Sequence, residues 1–188
     1  MIINRFEIDG PAEIIPKQFP DSRGYFSEVF NLKTLECAGI DCGPWVQDNQ
    51  SYSENKYTLR GLHLQLAPFA QAKLVRVLSG SIFDVAVDLR GKSKTYGQWV
   101  GVTLSATKFN QLYIPAGFAH GFLTLEPHVA VQYKVNNYYA KGEERSLRWD
   151  DAELAINWPL PENMSPLLSD KDAIAPLLNS IARGQWFD

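Results

Sequence analysis

The segment KLVRVLSGSIFDVAVDLR, residues 73–90, decides the fold. It holds two runs rich in β-branched and apolar residues, separated by a Ser-Gly turn signal, as expected for consecutive β-strands. Because side chains alternate across a strand, one face of the second run carries Phe83, Val85, Val87 and Leu89. The opposite face carries Ile82, Asp84, Ala86 and Asp88. In the first run Lys73 shares the face of Val75 and Val77, which is an unusual position for a lysine.

Similar short runs follow along the chain: QWVGVTLS (98–105), QLYIP (111–115), AHGFLTL (119–125) and HVAVQYKV (128–135). Their spacing and their Gly, Pro and Ser punctuation indicate an all-β sandwich, jelly roll or barrel. In the last run Tyr133 belongs to an apolar, inward face. LKTLECAGI (32–40) predicts a short helix.

A second helix is predicted in SDKDAIAPLLNSIARG, residues 169–184. Ser169 is a good N-cap with Asp172 at the N3 position, and four apolar residues follow at helical spacing up to Ile181. Pro176 can break or kink this helix. We therefore expect residues 1–188 to form a single β domain with a short C-terminal helical segment.

Composition excludes several classes of protein. The net charge is −3 and no Lys/Arg cluster gives the electrostatic footprint of a nucleic-acid binder. Two cysteines, Cys37 and Cys42, do not make a zinc site; they could form a disulfide or stay reduced. The first residues lack a long apolar region and no segment reaches the length of a membrane span, so we expect a cytoplasmic protein with no membrane partner.

The stretch LRGLHLQ (59–65) contains one of only three histidines. In a regular strand Arg60 and His63 would face opposite sides, but Gly61 between them can bend the chain. From these residues alone, a structural histidine with satisfied ring nitrogens and a functional one both remain open.

The stretch IPAGFAHGF (114–122) has a P-x-G-x-x-H pattern ending at His120, which resembles the second motif of the cupin superfamily of small jelly-roll barrels. In metal-binding cupins the first motif supplies two histidines, and here Gln65 stands where the second one would be. A transition-metal site usually needs several imidazole or carboxylate ligands, so we predict no metal.

Several stretches, in this order, resemble the dTDP-4-dehydrorhamnose 3,5-epimerase family, metal-free and cofactor-free isomerases of cupin type. They include DSRGYFSEVF (21–30), VQDNQS (46–51), LRGLHLQ, LYIPAGFAHGF (112–122), YKVNNYYAKGEE (133–144) and SDKDA (169–173). The resemblance implies a cupin-type jelly-roll barrel and a homodimer in which subunits share strands. It also implies inversion of C3 and C5 of dTDP-4-dehydro-6-deoxy-D-glucose to give dTDP-4-dehydro-L-rhamnose, for dTDP-L-rhamnose synthesis.

Both reacting carbons lie next to the C4 ketone, so each inversion needs a base, a stabilised enolate and an acid on the opposite face. By motif position, the resemblance makes His63 the base, Asp172 its partner, Tyr133 the acid and Lys73 the cation near the C4 oxygen. Asp170 remains a rival to Asp172. The carboxylate of Asp172 would also suit a helix N-terminus without any catalysis.

The resemblance further implies a set of substrate contacts to the sugar, the diphosphate and the nucleoside. These residues are Arg23, Glu28, Gln47, Asn49, Arg60, His120, Tyr139, Glu144 and Lys171. Small departures from the family pattern occur at Leu64 and Gln50, and two extra residues precede SDKDA. The alternatives are a related 3- or 5-epimerase or ketoisomerase, a metal-dependent cupin enzyme, and a non-catalytic sugar-nucleotide binding module.

Overall fold

Two antiparallel sheets face each other in this computed structural model, which describes residues 1–40 and 43–188. The first sheet has six strands in the spatial order β1 (Ile2–Arg5), β2 (Ala12–Ile15), β10 (Gln111–Ile114), β7 (Lys73–Ser79), β12 (Val129–Val135), β5 (Gln47–Ser53). The second has five, in the order β13 (Glu144–Ser146), β6 (Leu59–Gln65), β11 (Phe118–Thr124), β8 (Ser81–Asp88), β9 (Trp99–Ser105). A separate hairpin pairs β3 (Gln18–Asp21) with β4 (Gly24–Ser27). The all-β class predicted from the sequence is confirmed.

The main core lies between the two sheets and follows the alternation seen in the sequence. Val75 and Val77 of β7 and Val129 and Val131 of β12 point inward from the six-stranded sheet. They meet apolar side chains of the five-stranded sheet, namely Ile82, Ala86, Val100, Leu104, Phe118 and Phe122. Burial of such side chains, at roughly 25 cal/mol per Å² of apolar surface, is the main driving force that holds the sheets together.

Both sheets are also covered on their outer faces, which explains why β8 is apolar on both sides. Val85 and Val87 pack outward against the C-terminal part of the chain, where Leu147, Leu154 and Trp158 lie in the same cluster. On the other sheet, Leu74 packs against Leu35 of the first helix, α1 (Leu32–Cys37). With both outer faces covered, the facing sides of the two sheets are where a cavity can form.

The helices are few and short, as predicted, but the C-terminal one ends earlier than its apolar spacing suggests. Helix α2 spans only Asp170–Ala173, and a 3₁₀ turn follows at Leu178–Ser180. Pro176 explains the early end, because proline cannot donate to a helical ladder and disfavours helical backbone in the residue before it. Within the described ranges no helix is long and apolar enough to cross a membrane. The possible disulfide of Cys37 involves Cys42, which lies outside the described residues.

Candidate active site

An irregularity in β6 brings Arg60 and His63 to the same side of the five-stranded sheet. His63 is the register partner of His120, and Arg60 is that of Phe122. Between these two pairs β6 therefore has one residue more than β11. Such a bulge turns the following side chains to the other face. Both Arg60 and His63 consequently line the cavity between the sheets.

Glycine is required at the centre of this irregularity. Gly61 has a φ of +126°, and a Cβ there would lie 2.4 Å from the Cα of Gly121 and 2.7 Å from the carbonyl oxygen of His120. The two backbones therefore approach each other too closely for any side chain. The Gly61–Gly121 contact is the local reason that the histidine of LRGLHLQ points into the cavity.

His63 is paired with Asp172, the third residue of α2 (Asp170–Ala173). Nε2 of His63 lies 2.5 Å from Oδ1 of Asp172, whose side chain is almost fully buried. The backbone N–H of Gly61 donates to Oδ2 of Asp172 at 3.4 Å, and Ser169 caps the helix by accepting from the N–H of Asp172 at 3.2 Å. Asp172 thus occupies a helix N-terminus and contacts the histidine at once, whereas Asp170 is exposed.

The charge on Asp172 fixes which nitrogen of His63 is free. Burial raises the pKa of Asp172, but the hydrogen bond and the charge of His63, with the N–H of Gly61, outweigh burial and hold it below its usual value. An ionised Asp172 accepts a hydrogen bond from Nε2–H of His63. Nδ1 then carries the lone pair, which makes it the basic atom of the ring.

Tyr133 and Lys73 face this pair from the six-stranded sheet. They belong to the neighbouring strands β12 and β7 and line the same cavity as His63. Burial is the main cause that raises the pKa of the Tyr133 hydroxyl, so the phenol keeps its proton at neutral pH. Burial lowers the pKa of Lys73 to about 8, against the charges of Asp84 and Glu144, which raise it. The Lys73 ammonium donates to the carbonyl oxygen of His63 at 3.3 Å.

The cavity has two adjoining parts that share His63, Lys73 and Tyr133. The larger, of about 490 Å³, also contains Arg60, His120 and Lys171. The smaller, of about 270 Å³, contains Gln47, Asn49, Tyr139 and Glu144. Together these parts bring all the predicted catalytic side chains and most of the predicted contacts into one continuous space.

Polar side chains around the smaller part form a connected network. Glu144 accepts from the Lys171 ammonium at 2.6 Å and from the Tyr139 hydroxyl at 3.2 Å. Gln47 donates to Asn49 at 2.7 Å. This rim offers amide, hydroxyl and ammonium groups of the kind that bind a nucleotide and its phosphates.

Two predicted contacts lie elsewhere. Arg23 is on the β3–β4 hairpin, where its side chain is 87% exposed and pairs with Asp21 at 2.7 Å. Glu28 follows that hairpin and is exposed as well. Neither residue lines either part of the cavity of its own chain.

The structure also adds residues that the sequence reasoning did not assign. Ser51 lines the larger part, and its buried hydroxyl has no hydrogen-bond partner among the residues that the structure describes. Asp84 is fully buried and its Oδ1 lies 2.7 Å from Nε2 of His120. Alternation along VQDNQS and SIFDVAVD could have indicated both, since it places Ser51 and Asp84 on the inward faces of their strands.

Gln65, the residue that stands where a metal-binding cupin has a histidine, uses its side-chain amide for hydrogen bonds to the backbone. Its amide donates to the carbonyl oxygens of Phe69 at 2.7 Å and Tyr138 at 3.1 Å, and it accepts from the N–H of Ala140 at 2.8 Å. Over residues 1–40 and 43–188 no group of three His, Cys, Asp or Glu side chains is placed to hold a metal. The absence of a metal stays a prediction.

A histidine–carboxylate pair that faces a tyrosine and a lysine across a deep cavity is equipped for proton transfer to and from carbon. Comparison with known proteins agrees with this class. The family model described as dTDP-4-dehydrorhamnose 3,5-epimerase matches residues 5–180. The chain therefore belongs to the dTDP-4-dehydrorhamnose 3,5-epimerase family.

Individual relatives cover almost the whole chain. It is 53% identical to dTDP-4-dehydrorhamnose 3,5-epimerase of Shigella flexneri, over 92% of this chain and 93% of that protein. A solved structure of dTDP-6-deoxy-D-glucose-3,5-epimerase from Legionella pneumophila, in complex with dTDP-4-keto-L-rhamnose, is 46% identical with a TM-score of 0.92, covering 99% and 97% of the two chains. The 3′-monoepimerase ChmJ of Streptomyces bikiniensis, solved with dTDP-quinovose, is 33% identical with a TM-score of 0.84, covering 93% and 86%.

Proposed function

We propose that this protein is a dTDP-4-dehydrorhamnose 3,5-epimerase, an isomerase that inverts C3 and C5 of dTDP-4-dehydro-6-deoxy-D-glucose. The product is dTDP-4-dehydro-L-rhamnose, the precursor needed for dTDP-L-rhamnose. The observation that carries the proposal is one cavity lined by two groups of side chains. His63 of the five-stranded sheet is paired with Asp172 of α2, and Tyr133 and Lys73 come from the six-stranded sheet. No cofactor is required, because a ketone next to each reacting carbon already acidifies it.

Each inversion proceeds through an enolate. Nδ1 of His63 takes the proton from the carbon, and Asp172 stabilises the imidazolium that forms. The C4 oxygen gains negative charge, which the Lys73 ammonium stabilises. The Tyr133 hydroxyl then delivers a proton to the opposite face of the carbon, and its raised pKa keeps that proton available.

The substrate contacts follow from the two parts of the cavity. His120 contacts the sugar in the larger part, while Arg60 and Lys171 bind the diphosphate. Gln47, Asn49, Tyr139 and Glu144 contact the nucleoside in the smaller part. These assignments predict that substitutions in the smaller part raise KM more than they lower kcat.

Solvent exchange tests the reaction directly. The protein is incubated with the 4-keto sugar nucleotide in D₂O, and the product is followed by proton NMR. We expect deuterium at both C3 and C5, together with inversion at both carbons. Binding of the sugar nucleotide without any exchange would leave a non-catalytic binding module as the better description.

A single-carbon epimerase is the second candidate, because the structural relative ChmJ is a 3′-monoepimerase. The two candidates would use the same acid and base, and the pose of the sugar in the cavity would decide which carbons react. Deuterium at only one carbon, after all of the substrate has reacted, would favour this candidate.

The proposal includes a single domain over residues 1–188, cytoplasmic localisation and a homodimer, as expected from the sequence and the resemblance. In a dimer Arg23 and Glu28 would contact the substrate bound in the cavity of the partner subunit. The exposure of Phe19, Tyr25 and Phe26 on the same hairpin supports a contact there.

Mixed dimers test this arrangement. Arg23→Ala and His63→Ala chains, each expected to be weakly active alone, are mixed, unfolded and refolded together. If Arg23 acts in the partner, each mixed dimer regains one intact site and activity returns. A mixture no more active than its components, with mixed dimers present by native mass spectrometry, would place Arg23 outside the partner's site.

A further inference from the structure

A buried carboxylate next to the cavity, that of Asp84, has no part in the proposed proton transfers. Asp84 is on β8, faces inward and is fully buried. Its Oδ1 lies 2.7 Å from Nε2 of His120, while its Oδ2 is buried and makes no hydrogen bond among the described residues. A buried carboxylate that is only half hydrogen-bonded is costly unless positive charge lies near it.

We propose that Asp84 is a positioning residue for the epimerisation, which orients His120 through one oxygen and balances the buried charge of Lys73. The inference deepens the proposed function and rests on it only for its kinetic part. Asp84 itself does not line the cavity, so it acts through these two side chains and does not contact the sugar.

The first half of the proposal concerns the tautomer of His120. Burial lowers the pKa of His120, against the charge of Asp84, so the ring is neutral near pH 7. The carboxylate can only accept a hydrogen bond, and therefore Nε2 of His120 carries the proton. Nδ1 is left as an acceptor at the cavity, suited to a hydroxyl of the sugar.

The second half concerns Lys73, which is 9% exposed and lines the same cavity as His120, the side chain that Asp84 contacts. Burial lowers its pKa to about 8, and Asp84 is the largest of the charges that raise it. Removal of the Asp84 charge would therefore lower the pKa of Lys73 further and leave less ammonium to stabilise the enolate at neutral pH. The ionisable groups that line the cavity with Lys73, or act on its charge, are Arg60, His63, Asp84, His120, Tyr133, Tyr139, Glu144, Lys171 and Asp172.

Asp84→Asn isolates the charge, because an amide can still accept from His120 through its oxygen. In a protein with ¹³C-labelled lysine, the Cε signal of Lys73 reports its titration and is assigned by its loss in Lys73→Met. In the wild type we expect the titration midpoint of Lys73 at about pH 8. In Asp84→Asn we expect this midpoint to be lower by about one pH unit or more. The alkaline limb of the kcat profile should fall with it, while KM changes little.

Asp48→Asn is the matched control, since that carboxylate is half exposed and pairs with Lys134 at 2.8 Å. It should leave both the Lys73 midpoint and the kcat profile unchanged. The same Lys73 midpoint in Asp84→Asn as in the wild type would overturn the proposal. The NMR titration needs no substrate, so a protein without epimerase activity would defeat the proposed function and leave this result readable.

A measurement on the wild type covers the case in which Asp84→Asn does not fold. The ¹⁵N shifts of the imidazole rings report which nitrogen carries the proton, and only three histidines have to be assigned. We expect the proton of His120 on Nε2 between pH 6 and pH 8. A proton on Nδ1 instead would contradict the hydrogen bond from Nε2 of His120 to Asp84, and with it the proposed role of Asp84.

Discussion

His63 and Asp172 are in contact although 109 positions separate them in the chain: Nε2 of the histidine lies 2.5 Å from Oδ1 of the aspartate. The strand that carries His63 and the short helix that carries Asp172 are further joined by the hydrogen bond from Gly61. The proposed base and its proposed carboxylate partner therefore come into contact only when the C-terminal segment has docked on the five-stranded sheet. This dependence makes the pair the first target for mutation.

His63→Ala should lower turnover by at least about 10²-fold, the usual range for removal of a general base. The rate of solvent deuterium exchange into the sugar should fall equally, because both depend on proton abstraction. His128→Ala is the matched control, since His128 is exposed, lies outside both parts of the cavity, and its ring lies 2.7 Å from the Tyr52 hydroxyl. A near-wild-type exchange rate in His63→Ala would remove His63 from the role of base.

Asp172→Asn and Asp170→Asn distinguish the two candidate partners of the base. The structure places Asp172 against His63 and leaves Asp170 exposed, so only the first variant should lose activity, on the order of 10²-fold. An amide in place of the carboxylate no longer stabilises the imidazolium. Equal kcat values for the two variants, measured at saturating substrate, would argue against the assignment.

Tyr133→Phe should separate exchange from inversion. His63 can still remove and return a proton on its own face, so deuterium from solvent should continue to enter the sugar with retention of configuration. Formation of the inverted product should fall by about 10²-fold, since the opposite face has lost its proton donor. NMR of the sugar ring distinguishes the two outcomes, and equal losses of exchange and inversion would contradict this role.

Lys73 should set the alkaline limit of activity. In the proposed mechanism the ammonium form of Lys73 stabilises the enolate. Burial lowers the pKa of Lys73 to about 8, so this form dominates below that value and is lost as the pH rises through it. A kcat profile from pH 6 to 10 checks this. Lys134→Met, which removes a lysine paired with Asp48 on the surface, should keep the wild-type limit. A profile that is flat through pH 9 would exclude Lys73 from this role.

Much of this site follows from local patterns. Alternation placed Lys73 and Tyr133 on inward faces, because the period of a regular strand depends only on neighbouring residues. The cap at Ser169 was likewise local, and the structure confirms its hydrogen bond to the N–H of Asp172. The C-terminal helix is short, as predicted, but apolar spacing alone did not show where it ends, because that spacing continues beyond Pro176.

The contacts between distant segments could not be derived in this way. The choice between Asp172 and Asp170 depends on how α2 docks against β6, and no spacing rule in either segment encodes that. The pairing of Asp84 with His120 joins two neighbouring strands in the same manner. Arg60 and His63 share a face only because β6 carries one extra residue opposite β11, and that depends on the approach of another glycine, Gly121.

Gly61→Ala tests that close approach. A Cβ at this position would lie 2.4 Å from the Cα of Gly121 in a backbone conformation that side chains rarely adopt, so both strain and overlap oppose it. We expect a loss of about 2–5 kcal/mol in the free energy of unfolding. Turnover should fall as well, because relief of the overlap displaces His63 from the cavity. Urea denaturation and the D₂O exchange assay measure the two effects.

Gly142→Ala is the control for the glycine substitution itself. A Cβ at Gly142 would meet nothing within 4 Å, and its φ lies outside the left-handed range. Its free energy of unfolding should stay within about 0.5 kcal/mol of the wild type, as is usual for surface substitutions. The two alanine variants could instead have the same free energy of unfolding and the same turnover. That result would show that the contact between Gly61 and Gly121 does not orient His63 toward Asp172 and does not cause the bulge.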